Sequence, residues 1–324
     1  MLVDFNFSRS IELTSGEIDL LAVGETVVDL ISVKESGSFA GAEDFRRYFG
    51  GSPANITMNL ASLGRKTALI SRVGSDGLGE YLLSRLQERG VDISGISRDE
   101  KSNTTVILVT RSQESPEFLA YRGADSNLSP EQVSAERVSE ARIIHISSFA
   151  LTVPRGRRTI EKVIELAQGQ NKIIALDPNY RPQLWRGGEI GQKYIKHLLA
   201  EIDIVKPSLD DARFLFGERS REAYIKEFHE AGAGLVILTL GADGLLASTG
   251  KNRQHLSSLA REVVDTTGAG DAFWSGFYSG TLQQKNLLTA LKLGSAAAAE
   301  VLKQPGALVN LPQTGELLTK YNIN

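Results

Sequence analysis

The sequence predicts an α/β fold, a mainly parallel central sheet with helices on both faces and a small β-sheet lid. Two observations predict it. Short apolar runs alternate with helical stretches from residue 18 towards the C-terminal end, the pattern of strands joined by crossover helices. Two extended runs, 104–110 and 117–122, break that alternation and flank a polar turn at 111–116, as hairpin strands do. With residues 26–33 and 43–49 they read as an accessory sheet standing off the main fold. A small sheet beside a ligand site is suited to closing over it.

Composition narrows the function. The chain has 324 residues, 41% of them hydrophobic, enough for a large core. No repeat or low-complexity linker divides it, so residues 18–324 read as one domain after an N-terminal extension, 1–17, with lid segments at about 26–49 and 103–122. Net charge is −3 with no basic block, which argues against nucleic acid or an anionic membrane as partner. Cysteine is absent, excluding disulfides, thiolate catalysis and cysteine-ligated metals. Residues 1–16 lack the basic start and apolar core of a secretory signal. No run approaches the roughly 18 apolar residues of a membrane span. The expected location is the cytoplasm.

Residues 18–24 are an apolar run ending in Gly24, a buried first strand. Asp29 lies beyond it, on the side where open α/β sheets bind ligands; it suits either a polyol or a turn. Gly50-Gly51-Ser52-Pro53-Ala54-Asn55 starts a helix, with Ser52 as expected N-cap and Pro53 at the first helical position. Asn55 then falls third, where its amide can serve a sugar hydroxyl or the helix end itself. Strand 67–73 and helix 78–88 follow, then strand 142–147, helix 157–167 and strand 172–177. His145, inside an apolar strand without a second ligand at metal spacing, reads as a core residue. Asp177-Pro-Asn-Tyr-Arg181 leaves its strand at the ligand end, and Arg181 suits a phosphate or a carboxylate. The remaining elements are strand 202–205, a helix begun by Lys206-Pro-Ser208-Leu-Asp-Asp211, a helix at 223–231 and strand 235–240. A turn at Gly241-Ala-Asp-Gly244, a hairpin of 245–249 with 253–258, an Ala/Leu helix at 287–302 stopped by 304–307, and a short terminal helix complete the chain.

The stretch Asp265-Thr266-Thr267-Gly268-Ala269-Gly270-Asp271 leads directly into apolar positions 273, 274, 277 and 278. It reads as a tight loop entering a helix with a buried face. The bare N–H groups and dipole of such a helix start suit an anion, and glycines let a phosphate come close. Asp271 conflicts with an anion unless it takes part in chemistry; otherwise it only charges the first helical turn.

The chain has neither a Gly-x-x-x-x-Gly-Lys-Ser/Thr loop nor a Gly-x-Gly-x-x-Gly fingerprint after its first strand, which weakens P-loop kinase and Rossmann dehydrogenase readings. Instead, Gly50-Gly51 through Asn55 and Asp265 through Asp271, in that order, make it resemble the ribokinase-like, or PfkB-type, carbohydrate kinases from about residue 18 to about 312. Asp177-Pro-Asn-Tyr-Arg181 with Leu184-Trp185 looks like the fructokinase and 2-keto-3-deoxygluconate kinase branch, and Tyr121-Arg122-Gly-Ala-Asp125 with Asp177-Pro178 looks closer to fructokinase.

That resemblance implies an ATP-dependent kinase acting on a primary hydroxyl of fructose. A 2-keto-3-deoxygluconate kinase is the alternative, and a non-catalytic sugar or nucleotide sensor the remote one. It implies Asp271 as general base, needing no raised pKa, with the N–H groups of Gly268, Ala269 and Gly270 receiving the phosphoryl group. Sugar contacts fall to Asp29, Gly51, Asn55, Arg122 and Arg181. Nucleotide contacts fall to Lys206, Thr239, Gly241 and Gly244. Mg²⁺ accompanies ATP, and a monovalent cation, K⁺, would involve Asp265 and Thr267. Where many relatives carry Asn-x-x-Glu this chain has Ser208-Leu-Asp-Asp211, so Asp211 is expected to reach Mg²⁺ only through water. Apolar outward faces on the lid strands would pair two subunits as a homodimer.

Overall fold

The computed structural model describes residues 3–111, 117–185, 189–304, 306–307 and 309–323, among which thirteen strands form two sheets. In chain order they are β1 (Ile18–Val23), β2 (Val27–Glu35), β3 (Phe45–Gly50), β4 (Thr67–Gly74), β5 (Ile96–Asp99), β6 (Val106–Arg111) and β7 (Phe118–Tyr121). Then come β8 (Ala141–Ser147), β9 (Ile173–Asp177), β10 (Ile204–Val205), β11 (Leu235–Thr239), β12 (Leu245–Ser248) and β13 (Arg253–Leu256).

The large sheet runs β13-β12-β11-β10-β9-β8-β1-β4-β5. From β11 to β5 every pair is parallel, and the hairpin β12-β13 adds an antiparallel edge. Its strands are apolar on both sides because both sides are covered. Leu21 and Ile144 point into a core shared with Ile160, Val163 and Ile164 of the helix Pro154–Gly169. Their neighbours Leu20 and Ile143 point the opposite way, to Phe273, Trp274 and Phe277 of the helix Ala269–Leu282. The N-terminal extension docks on this second core through Phe5 and Ile11.

The small sheet has the order β3-β2-β6-β7. Two antiparallel hairpins meet in the parallel β2-β6 pair, which is the sheet expected of the lid. The body of its expected turn, 112–116, lies outside the described residues.

Three local features differ from the sequence reading. The helix after the glycine pair is Ser52–Ser62 with Gly51, not Ser52, at the N-cap. Gly51 sits at φ +100°, and a Cβ there would lie 2.5 Å from the Glu25 carbonyl oxygen, so glycine takes the cap position and the Ser52 side chain is released for another partner. Pro53 and Asn55 move to the second and fourth helical positions. Strand β5 was not foreseen, because four residues with one apolar member carry no period. The helix Glu189–Leu198 was also missed.

The Ala/Leu helix is Leu287–Val301, and it packs antiparallel to Ala269–Leu282 across small residues. A Cβ on Gly276 would stand 2.4 Å from the Leu293 carbonyl oxygen. Gly276→Val therefore forces two core helices apart, and thermal denaturation is expected to show a loss of about 1–3 kcal/mol or more.

Candidate active site

Strand order reverses at β1, whose neighbours β8 and β4 lead in opposite directions along the sheet. The crevice beyond the carboxyl ends of the strands at such a switch point is where open α/β sheets bind ligands. Residues from three elements converge here: the exit of β1, the first turn of Ser52–Ser62, and the first turn of Ala269–Leu282.

Asp271 is the centre. Its Oδ1 accepts a hydrogen bond from Ser52 Oγ at 2.6 Å and its Oδ2 one from Asn55 Nδ2 at 2.9 Å. Burial of the carboxyl pushes it up to about 6, although these two donors and Lys206 oppose the rise. Asp271 thus remains mostly ionised at pH 7, with a higher pKa than the sequence reading required.

Asp29, on lid strand β2, sits over Gly50, where a Cβ would lie 2.3 Å from its Oδ2. Its carboxyl has no hydrogen-bond donor among the described residues, and burial, then the charge of Asp271, raises it to about 7. Gly51 holds the chain turn beneath it. Asn55 is buried with its Oδ1 unpartnered, so an acceptor remains next to the two acids.

The loop before Asp271 is shaped by hydrogen bonds. Asp265 Oδ1 accepts from Thr267 N–H and Oδ2 from Gly306 N–H, both at 2.9 Å. Partial burial opposes them, yet these donors hold the carboxyl below its usual range. Gly268 adopts the left-handed conformation, φ +79°, against Ala307, whose Cα would be 2.4 Å from a Cβ. Ala269 N–H donates to Thr266 O at 3.3 Å, whereas the N–H groups of Gly268, Gly270 and Asp271 find no acceptor among the described residues. The helix start thus presents open donors and a positive dipole end.

Behind the loop lies a buried ion pair. Lys206 Nζ is 3.1 Å from Asp177 Oδ2, and that oxygen also accepts from Trp274 Nε1 at 2.9 Å. The ammonium lies 3.3 Å from where a Cβ on Gly270 would stand. Glu25, directly after β1, is buried; its Oε1 accepts from Ser52 N–H at 3.1 Å and its Oε2 from Ser147 Oγ at 2.7 Å. Burial raises it to about 7. Neither Glu25 nor the donor role of Ser52 was foreseen, since only the short step from β1 to Glu25 was visible in sequence.

The other expected site residues are more dispersed. Arg122 is ion-paired to Asp125 at 2.5 Å, donates to Thr152 Oγ1 at 2.7 Å and stacks on Phe149. With Arg47, Asp76, Asn103 and Tyr121 it lines an open cavity of about 880 Å³ beside the lid. Arg181 is exposed and donates to the Tyr180 carbonyl at 3.3 Å. Asp211 is buried with both oxygens engaged, by Tyr180 N–H and by the Ser208 N–H and hydroxyl, which makes it the partner of a capping box. Burial, then the charge of Asp177, raises it. Thr239 ends β11 and bonds back to Pro207 O, and Gly241 and Gly244 bracket a single 3₁₀ turn. A Cβ on Gly241 would meet open space, whereas one on Gly244 would lie 2.0 Å from Leu256 O.

The profile of the pfkB family carbohydrate kinases matches residues 17–314. The chain belongs to that family. An ATP-dependent 6-phosphofructokinase from Thermoanaerobacterium thermosaccharolyticum is 41% identical over 98% of both chains. The Halothermothrix orenii fructokinase structure superposes with a TM-score of 0.78 and 40% identity, covering 86% of this chain and 98% of that one. An uncharacterised sugar kinase from Pyrococcus horikoshii, solved in complex with ATP, gives 0.83 and 34% over 94% and 99%. This pfkB-family chain is an ATP-dependent sugar kinase, a phosphotransferase with an alcohol acceptor. Among the described residues no helix is long and apolar enough to cross a membrane.

The acid pair of this kinase carries a stability cost. Asp29 moves from 3.8 to about 7 on folding, so the folded state binds more protons than the unfolded one between those values and loses stability as pH rises through them. Asp29→Asn is expected to raise Tm above pH 7, with the gain vanishing below about pH 4, where both states are protonated. Calorimetry of both proteins across that range checks it.

Proposed function

We propose that the protein transfers the γ-phosphoryl group of ATP to a primary hydroxyl of fructose, giving fructose 6-phosphate and ADP. The observation that carries this reading is Asp271, an acid near neutrality with its carboxyl fixed by two donors, next to a helix start with open N–H groups. Asp271 takes the proton of the attacking hydroxyl. The N–H groups of Gly268, Gly270 and Asp271 meet the charge on the transferring phosphoryl oxygens, with Ala269 shaping the turn. Asp29, Asn55 and the backbone at Gly51 hold sugar hydroxyls. Acids and amides suit a neutral polyol, and the arginines fit this reading: Arg122 is neutralised by Asp125 and Arg181 faces solvent.

Thr239, Gly241 and Gly244 form the nucleotide turn, and Lys206 stands under the loop. Mg²⁺, when bound with ATP, neutralises β- and γ-phosphate oxygens; no group of three or more candidate ligands occurs among the described residues, which suits an ion held mainly by phosphate and water. Asp211 contacts it only through water in this reading. Asp265 and Thr267 line a monovalent-cation position. A cytoplasmic homodimer formed through the lid completes the proposal, supported by the exposure of Val33 on β2 and Leu119 on β7.

A second reading, a sugar-phosphate acceptor such as fructose 6-phosphate, is favoured by the 41% identical 6-phosphofructokinase and by Arg47 in the open cavity beside the lid. A coupled ADP-release assay over fructose, fructose 6-phosphate and 2-keto-3-deoxygluconate, with and without K⁺, decides between them. Fructose is expected to have the highest kcat/KM; a preference for either other acceptor replaces it, and absence of turnover on every sugar removes the kinase reading for this chain. Asp271→Ala is expected to lower kcat by about 10²–10⁴-fold with sugar affinity largely kept; near-normal turnover removes Asp271 from its role.

A further inference from the structure

We propose that Ser52 is a positioning residue for the base Asp271, itself anchored by the buried carboxylate of Glu25. The inference deepens the kinase reading and rests on it. Its basis is a chain of contacts through four residues distant in sequence: Ser147 Oγ to Glu25 at 2.7 Å, Glu25 to Ser52 N–H at 3.1 Å, and Ser52 Oγ to Asp271 at 2.6 Å.

Ser52 heads a helix, where serine usually caps through its own hydroxyl. Here Gly51 occupies the cap and no side-chain cap bond forms. The first-turn N–H of Ser52 is instead met by Glu25, so the hydroxyl has no duty to its helix. It donates to Asp271, 219 residues later in the chain. Ser52 is only 7% exposed and Glu25 5%, so solvent does not compete for either contact. A carboxylate buried beside the first strand is costly unless it is hydrogen-bonded, and Glu25 spends both oxygens fixing groups that border the site.

The bond to Asp271 has two effects. It fixes one carboxyl oxygen while Asn55 fixes the other, which sets the plane of the base towards the acceptor hydroxyl. It also favours the ionised form. The other groups facing Asp271 are Asp177, which disfavours its charge, Lys206, which favours it, and Asp29, whose own carboxyl is raised by the charge of Asp271. Ser52 is therefore one of three groups, with Asn55 and Lys206, that keep the base ionised in an enclosed site.

The test is steady-state kinetics of Ser52→Ala against pH, using the best acceptor of the wild type, with Ser62→Ala as control. Ser62 lies on the same helix, and its hydroxyl donates to Asn59 O, away from the site. Ser52→Ala is expected to lower kcat by about tenfold or more, leave sugar KM within about twofold, and move the acid limb of the kcat profile upwards by about one pH unit; Ser62→Ala behaves as wild type. Glu25→Ala is expected to lower kcat similarly and to add nothing in the Ser52→Ala background, because both act through one contact. Removal of a buried carboxylate also affects stability, so the Ser52→Ala variant alone is decisive. An active wild type with unchanged kcat and acid limb in Ser52→Ala overturns the inference and leaves the kinase reading standing. A wild type that turns over no sugar overturns both.

Discussion

The architecture depends on placing one carboxylate, Asp271, at the electropositive start of a buried helix and keeping it ionised. Burial alone favours protonation, and the acid Asp177 adds to that pressure. Ser52, Asn55 and Lys206 oppose it, and the balance leaves the carboxyl at about 6. That value keeps the group charged at neutral pH without making it a poor proton acceptor. The donors come from the far end of the chain, so the balance holds only while the two helix starts keep their separation. This explains why the helix Ala269–Leu282 is packed by Phe273, Trp274, Phe277 and Tyr278 on one side and by close backbone approach at Gly276 on another. A helix seated on all sides cannot slide, and the loop it begins stays where the donors can reach.

The ion pair of Asp177 and Lys206 has a related logic. Two charges buried together are tolerable when each is paired and hydrogen-bonded, and Trp274 supplies the extra donor to Asp177. The same tryptophan belongs to the helix Ala269–Leu282, so the pair is pinned to the element whose first turn it supports. Lys206 ends up beneath Gly270, its ammonium 3.3 Å from where a Cβ would stand, so glycine there lets it approach the loop closely. His145 shows the contrasting case: burial lowers it to about 4, it bonds to Tyr278 Oη at 2.8 Å, and it stays neutral within the core, as its sequence context suggested.

Much of the fold was legible because its signals are local. Parallel strands buried on both faces read as apolar runs, and the long helix at 287–301 reads as apolar nearly all round. The extended runs of the small sheet stood out by lacking helices between them. What the sequence did not disclose is non-local. Ser52 reads as an N-cap from its neighbours alone, and only the turn at Gly51, tight against the Glu25 carbonyl, transfers the cap and frees the hydroxyl. For Asp211 the added contact is the Tyr180 N–H, which reaches it from 31 residues away. Strand β5 is too short to show a period. For Ser52 the deciding contacts, to Glu25 and Asp271, join segments whose proximity no spacing rule encodes.

The lid brings a further constraint. Asp29 belongs to β2 of the small sheet, whereas Asp271 belongs to the body, so docking the sheet sets two like charges against each other in an enclosed space. Neither carboxyl donates when ionised, and Asp29 has no donor from the described residues. Under the proposed function, a polyol between them would supply hydroxyl donors to both carboxyls. In the proposed reaction the acceptor therefore contributes to the seating of the sheet that covers it, and water, whose exclusion protects the phosphoryl group from hydrolysis, is displaced by the molecule that is to receive that group. The raised carboxyl of Asp29 and its proposed fit to a sugar share one origin, the lack of a hydrogen-bond donor among the described residues.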